Sequence, residues 1–178
     1  DTNRFYFSSN DGQTWPALQF QTAEAAPNNL LNLLIDHQEL WLFGNRKTQV
    51  FVVGTDPDAP FIPVSAGLIE MGICAARAVG RMDNSIFWCG RNKDGNHMVY
   101  RANGYTPVIV SNHAISNAFR AYDSFDDAVM GVYQLNGHSC LRLTFPNVNR
   151  GLGVTWEYDA SLPPELAWRQ VGFWNSQA

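Results

Sequence analysis

The chain has 178 residues, 46% hydrophobic and 13% aromatic, with a net charge of −4. That length can bury a sizeable core, and without a Lys/Arg run the chain lacks the basic stripe that binding through phosphates requires, so no direct nucleic-acid contact is expected. Nor does any stretch approach the roughly 18–20 apolar residues of a membrane span; the longest candidate, Leu30 to Ile35, is interrupted by Asn32.

In chain order, Arg4-Phe5-Tyr6-Phe7-Ser8 alternates as a strand, Asn10-Asp11-Gly12 signals a hairpin turn, and Trp15 to Phe20 reads as the returning strand. A fuller phrase follows three times. The first copy runs Leu31 to Ile35, a turn at Asp36-His37, then Leu40 to Gly44, Gln49 to Gly54 and Phe61 to Val64. The second runs Arg77 to Met82, a turn at Asp83-Asn84, then Ile86 to Gly90, His97 to Arg101 and Pro107 to Val110. The third runs Val129 to Gln134, a turn at Asn136-Gly137, then Ser139 to Phe145, Gly153 to Tyr158 and Ala167 to Val171.

The turns repeat after about 47 and then about 53 residues. Four strands at that period are the mark of propeller blades, whose sheets stack to share a core that none could close alone. The fold class read from this is all-β and β-propeller-like, with about three and a half four-stranded antiparallel blades. A single propeller-type domain is expected over 1–178, with repeats near 1–26 (partial), 27–66, 75–111 and 128–174. A closed propeller needs at least four blades, and the chain starts at Asp1 without an initiator Met or a signal peptide. It therefore reads as a piece of a longer parent.

One short helix is inserted near residues 112–122, where Ile115, Ala118, Phe119 and Tyr122 share a helical face and Ser111 or Asn112 offers a cap. The polar linker behind it, Asp123 to Asp127, reads as a solvated turn. The six Trp and eleven Phe fall mostly in apolar strands and are assigned to packing. Cys74, Cys89 and Cys140 are odd in number and widely spaced, and Cys89 and Cys140 lie in apolar strands, where a buried reduced thiol packs as a small hydrophobe.

Signals for chemistry are sparse. Ser9 to Trp15 resembles an Asp-box loop one residue short, a structural turn and not a catalytic motif. His37, His97, His113 and His138 show neither i, i+4 pairing nor a Cys-x-x-Cys companion, so no metal is expected. His37 and His138 each sit beside a first hairpin turn, in matching positions of the repeat, and read as turn and surface groups. No nucleophile elbow or phosphate-cradling loop is present; Arg150-Gly151-Leu152-Gly153 lies between strands. A sialidase-like glycoside hydrolase would need an arginine triad and a Tyr nucleophile with an acidic partner, and no spacing singles out such a set. No catalytic residue, metal or cofactor is expected.

The ordered set Arg4-Phe5-Tyr6, Leu40 to Gly44, Pro60-Phe61-Ile62-Pro63 with Gly67, Glu70 and Gly72, Asp83-Asn84 with Phe87-Trp88, and Val99-Tyr100-Arg101 with Gly104 to Pro107 resembles the packaged-DNA stabilisation family of short-tailed bacteriophages. Tyr133, Gly137-His138, Leu143 to Pro146, Thr155-Trp156, Tyr158-Asp159 and Trp168-Arg169 continue the pattern over nearly the whole chain. The resemblance implies a virion structural protein of the tail, a hub or plug made in the bacterial cytoplasm that joins the head-tail connector to the tail and retains packaged DNA. It implies no enzyme activity, and as partners it implies other tail and connector proteins and further copies of itself in a ring. The alternatives are a sugar- or receptor-binding propeller of a phage tail and a sialidase-like glycoside hydrolase.

The family offers no catalytic motif to carry over, so the expected contact residues are loop members. They are Asn45, Arg46 and Lys47 in the loop Asn45 to Thr48, Asp56 and Asp58 in Asp56 to Ala59, Asn92, Lys93 and Asp94 in Asn92 to Asn96, and Asn149 and Arg150 in Asn147 to Arg150.

Overall fold

A computed structural model describes residues 2–9, 12–23, 29–92 and 94–171. The chain divides into two compact units, Asp1–Gly72 and Ile73–Ala178. Both are built of antiparallel sheets, and among the described residues there is one α-helix. The propeller-like, all-β reading of the repeats stands.

The first unit contains a two-stranded sheet, β1 (Arg4–Tyr6) and β2 (Phe20–Thr22), and a four-stranded sheet, β3 (Leu30–Asp36), β4 (Glu39–Gly44), β5 (Thr48–Val53) and β6 (Phe61–Ile69), paired in chain order. The return strand lies later than its alternation suggests, because Arg4 pairs with Thr22 and Tyr6 with Phe20. Residues 12–19 form the connection instead, closed by the Ser9 N–H donating to the Thr14 carbonyl at 2.9 Å. The expected turn residues Asn10 and Asp11 lie outside the described residues. Phe5 packs edge-on to Phe51 and Phe61, with ring centroids 5.4 and 5.6 Å away. The Gln21 side-chain amide binds both backbone groups of Phe61, at 2.9 and 3.0 Å. This side chain substitutes for a neighbouring strand at the first residue of β6.

The second unit holds two four-stranded sheets. One is β7 (Val79–Met82), β8 (Ser85–Arg91), β9 (His97–Asn103) and β10 (Thr106–Ile109); the other is β11 (Val129–Leu135), β12 (His138–Phe145), β13 (Val154–Asp159) and β14 (Trp168–Gln170). They stack face to face over one core, with Met82, Phe87, Cys89 and Val99 from one sheet meeting Met130, Leu141, Leu143 and Phe145 from the other. Near their first strands a parallel bridge joins Arg77 to Val129, and the Met130 N–H donates to the Arg77 carbonyl at 2.8 Å. Gly80 permits this approach, since a Cβ there would stand 3.1 Å from Val132.

Three equivalent hairpins carry tight two-residue turns with both residues at positive φ: His37-Gln38 (47° and 66°), Asp83-Asn84 (49° and 55°) and Asn136-Gly137 (52° and 85°). That geometry follows the right-handed twist of the flanking strands. The first turn sits one residue later than expected. Asp36 pairs with Glu39 and Ile35 with Leu40, and a slip by one would carry the apolar set to the other face. His37 is therefore a turn residue whereas His138 begins a strand, so the two histidines do not occupy matching positions.

The helix α1 (His113–Phe119) is shorter than the periodicity suggests, capped by the Asn112 side chain accepting from the Ile115 N–H. Its buried Ile115 and Phe119 join the two-sheet core, and Phe119 and Phe125 stand edge-on to Phe145 at 5.2 and 5.3 Å. The linker after the helix is thus pinned by a buried Phe125 and is not a fully solvated turn, because an aromatic ring gains more from the core than its polar neighbours lose.

Gly72 shows how closely the first unit is packed. A Cβ at this position would lie 2.2 Å from the Gly44 carbonyl oxygen and 2.5 Å from the Arg46 nitrogen, both backbone atoms that cannot rotate away. Gly72→Ala is expected to destabilise the protein by about 2 kcal/mol or more, whereas Gly131→Ala, with nothing within 4 Å, stays within about 0.5 kcal/mol. Urea unfolding of the two variants checks this; equal midpoints would contradict it.

Candidate functional site

The expected contact loops divide by topology. Asn45 to Lys47, Asn92 to Asp94 and Asn149-Arg150 all belong to the connection between the second and third strands of a sheet, whereas Asp56 and Asp58 lie at the other end of β5. Asn45 and Arg46 are exposed, but the Asn45 N–H donates to the Asn29 carbonyl at 3.0 Å and Lys47 reaches Glu70 at 3.3 Å. Thr48 is fully buried and donates to the Met71 carbonyl. Asp56 accepts from the Asp58 N–H, and Asn92 accepts from the N–H groups of Asp94 and Asn96. Such local bonds shape turns. Lys93 lies outside the described residues. Asn149 and Arg150 are exposed at φ 59° and 58°.

A denser cluster lies on the face of the β11–β14 sheet that points away from β7–β10. The strand registers place Arg142 opposite Glu157 and Glu157 opposite Arg169 on three adjacent strands. Glu157 is 1% exposed, yet it receives the Arg142 Nε–H at 2.9 Å, the Arg169 Nε–H at 2.6 Å, a second Arg169 N–H and the Tyr133 hydroxyl. The Arg142 guanidinium also lies over the Tyr133 ring, 4.7 Å from its centroid. Gly131, opposite Arg142 on β11, leaves this corner open.

Burial works against ionisation of Glu157, but the hydrogen bonds from Tyr133, Arg142 and Arg169 outweigh it and hold the carboxyl below its usual range. Burial, then the bond to Glu157, raises the Tyr133 phenol. A glycosidase nucleophile would need that phenol activated and its arginines free for a substrate. Here both arginines already serve Glu157, and the phenol donates to the same carboxylate, so the cluster is a cross-strand ladder held together by Glu157.

Beside it, His138, Asp159 and Ser161 approach the arrangement of a hydrolytic triad without its wiring. Both Ser161 Oγ, at 2.6 Å, and Asp159 Oδ2, at 3.0 Å, meet the same His138 nitrogen, Nδ1. A relay needs the two ring nitrogens to serve different partners. The Ser161 hydroxyl and N–H, together with His138, hold the Asp159 carboxyl below its ordinary value against the effect of burial. The group closes the turn after β13.

The second unit also has a cleft of about 520 Å³, lined in part by Arg91, His97, Phe119, Arg120, Tyr122 and Phe125. His97 stacks flat on Phe125 at 3.5 Å and accepts the Arg91 Nε–H at 2.9 Å. Burial, then the nearby Arg91 charge, pushes its pKa down to about 4. The ring is therefore neutral near pH 7, as an acceptor of that bond must be. Cys89 and Cys140 are buried and Cys74 is half-buried, all as free thiols; a hydrogen bond to Cys74 and burial push the Cys89 thiol up. Among the described residues no group of three or more His, Cys, Asp or Glu side chains is placed to hold a metal, and no helix is long and apolar enough to cross a membrane.

Sequence reasoning missed the ladder. Its trace is a charge between two apolar residues in Leu141-Arg142-Leu143 and Trp156-Glu157-Tyr158, and a charge after an apolar pair in Ala167-Trp168-Arg169. That alternation marks each strand as two-faced but does not reveal which charges meet.

A family model described as bacteriophage P22 Gp10, β-propeller, matches residues 1–170. No curated protein matches the chain.

Replacing the ladder carboxylate gives a direct test of its electrostatics. Glu157→Gln leaves two guanidinium groups without their counter-charge and is expected to cost about 2 kcal/mol at neutral pH, below the range for a fully buried pair because the arginines are half-exposed. The folded pKa is depressed, so the carboxylate's stabilisation is fully present above the unfolded value of about 4.3 and is lost as pH falls through the lower folded value. Urea unfolding of both proteins should show a gap at pH 7 that closes in acid. A gap that is absent at pH 7, or constant with pH, would contradict this assignment.

Proposed function

Because the chain belongs to the bacteriophage P22 Gp10 β-propeller family, we propose that it is a structural protein of the virion tail that joins the head-tail connector to the tail and retains packaged DNA. The match over residues 1–170 carries this reading. The packing is consistent with it. A closure under internal pressure requires stiff material, and stacked sheets with interdigitating aromatic cores resist deformation as close-packed solids do.

In this reading the protein acts by assembly, as one of several copies around the tail axis, and its partners are other tail and connector proteins. The loops with Asn45, Arg46 and Lys47, with Asn92, Lys93 and Asp94, and with Asn149 and Arg150 occupy equivalent positions in their repeats and are proposed as contacts at one kind of blade end. Asp56 and Asp58 are proposed as contacts at the opposite end. The reading requires no turnover, and the Tyr133-Glu157-arginine ladder suits a rigid part better than a reactive one.

Nuclease protection tests the role directly. Particles of the encoding phage made without this protein are expected to package DNA and then lose it to added nuclease, while particles with it keep their DNA protected. If the deficient particles keep protected DNA and fail only to attach to cells, the protein is a receptor-binding component and the closure role falls.

A further inference from the structure

Two cysteines separated in the chain by β7 meet at one point of the second unit. Cys74 stands near the start of that unit and Cys89 lies in β8. The Cys74 N–H donates to the Cys89 carbonyl at 2.8 Å, and the Cys89 N–H donates to the Ala78 carbonyl at 2.9 Å. Residues opposed across such a bond have Cα atoms about 5.5 Å apart, the spacing most common in disulfides. Both side chains serve one core, in which Cys89 is fully buried and against which Cys74 packs, and the two thiols are hydrogen-bonded to each other. Cys140 stands elsewhere, because Leu141 and Leu143 face this core and strand alternation turns Cys140 to the other side of its sheet.

We propose that Cys74 and Cys89 are a thiol–disulfide exchange site, at which a small-molecule disulfide enters the neighbouring cleft, reacts at Cys74 and leaves the two cysteines joined. Access singles out Cys74, which is half-buried and lines the cleft of about 520 Å³ that also holds Arg91, His97 and Arg120. The Cys74 thiolate attacks one sulfur of the small disulfide, whose S–S bond breaks and releases one thiolate. The Cys89 thiolate then attacks the Cys74 sulfur and expels the second. Two electrons pass from the cysteines to the small disulfide, and the two cysteine protons end on the two small thiols. In the reduced protein the hydrogen bond to Cys74, then burial and the Cys74 charge, push the Cys89 thiol up. The first step removes both effects of Cys74 and leaves only burial against ionisation of Cys89, so reaction at Cys74 prepares the second step.

The bond closes a loop that contains β7 and Arg77, the residue bridged to Val129 of the other sheet. Oxidation therefore ties down the segment where the two sheets of the unit first meet, by removing freedom from the unfolded chain. In a reducing compartment the pair stays as two thiols, the state seen in the structure, and an oxidising one closes it.

The test treats the purified, reduced chain with oxidised glutathione and maps the products by mass spectrometry of non-reduced digests. One Cys74–Cys89 disulfide is expected, with Cys140 left as a thiol, and the midpoint of thermal unfolding should rise by about 5 °C. Cys89→Ser should stop at a glutathione adduct on Cys74, and Cys74→Ser should slow adduct formation about tenfold. In the unaltered protein, a lasting adduct on Cys74 without the internal disulfide, or a disulfide that includes Cys140, would overturn the pairing. Equal rates with and without Cys74 would overturn its place as the residue that reacts first. An unchanged or lowered midpoint after oxidation would show that the bond does not fit the fold and would overturn the restraint of β7. None of these outcomes depends on the virion role.

Discussion

A four-stranded antiparallel sheet has two faces, and an apolar face must be covered to escape water. In the second unit the β7–β10 and β11–β14 sheets meet this need for each other, with Phe87, Cys89 and Val99 against Leu141, Leu143 and Phe145. Other features there follow from this contact. Gly80 is small because Val132 and Met130 approach it closely. The chain between the sheets must cross from β10 to β11, and it does so as α1 and a linker whose Ile115, Phe119 and Phe125 enter the same core. Trp168 at the far edge is fixed by donating its indole N–H to the Val110 carbonyl at 2.7 Å.

The same constraint explains why the Arg142-Glu157-Arg169 row lies where it does. A buried carboxylate without counter-charge is costly, so Glu157 is tolerable only with the donors that surround it. On the face that meets β7–β10 such a row would displace the aromatic and aliphatic groups that hold the two sheets together. On the opposite face the arginines keep contact with water while they shield the carboxylate. The sheet is thus apolar toward its neighbour and polar, yet pre-ordered, on its other side.

Strand alternation and turn chemistry are local, and they were legible in the residues. Asp83-Asn84 and Asn136-Gly137 mark their turns because Asn, Asp and Gly tolerate positive φ. His37-Gln38 is harder to read, since Gln does not favour that conformation and the register of Ile35 against Leu40 imposes it. The β2 strand was misplaced for a related reason, as both Trp15 to Phe20 and Phe20–Thr22 offer apolar positions and pairing with β1 decides between them. The site was the least legible part. Glu157 meets arginines 15 residues before it and 12 after it, and only the sheet brings them together. Phe125 hid similarly, one ring among carboxylates whose burial depends on Phe145 and His97 far along the chain.

The account rests on the mutual burial of the two sheets in the second unit, which hydrogen–deuterium exchange tests most directly. Amides of β8, β9 and β12 should exchange slowly and with a common opening free energy, because neither sheet can expose its share of the core without the other. If β12 and β13 exchange freely while β8 and β9 remain protected, the sheets are independent and the account is wrong.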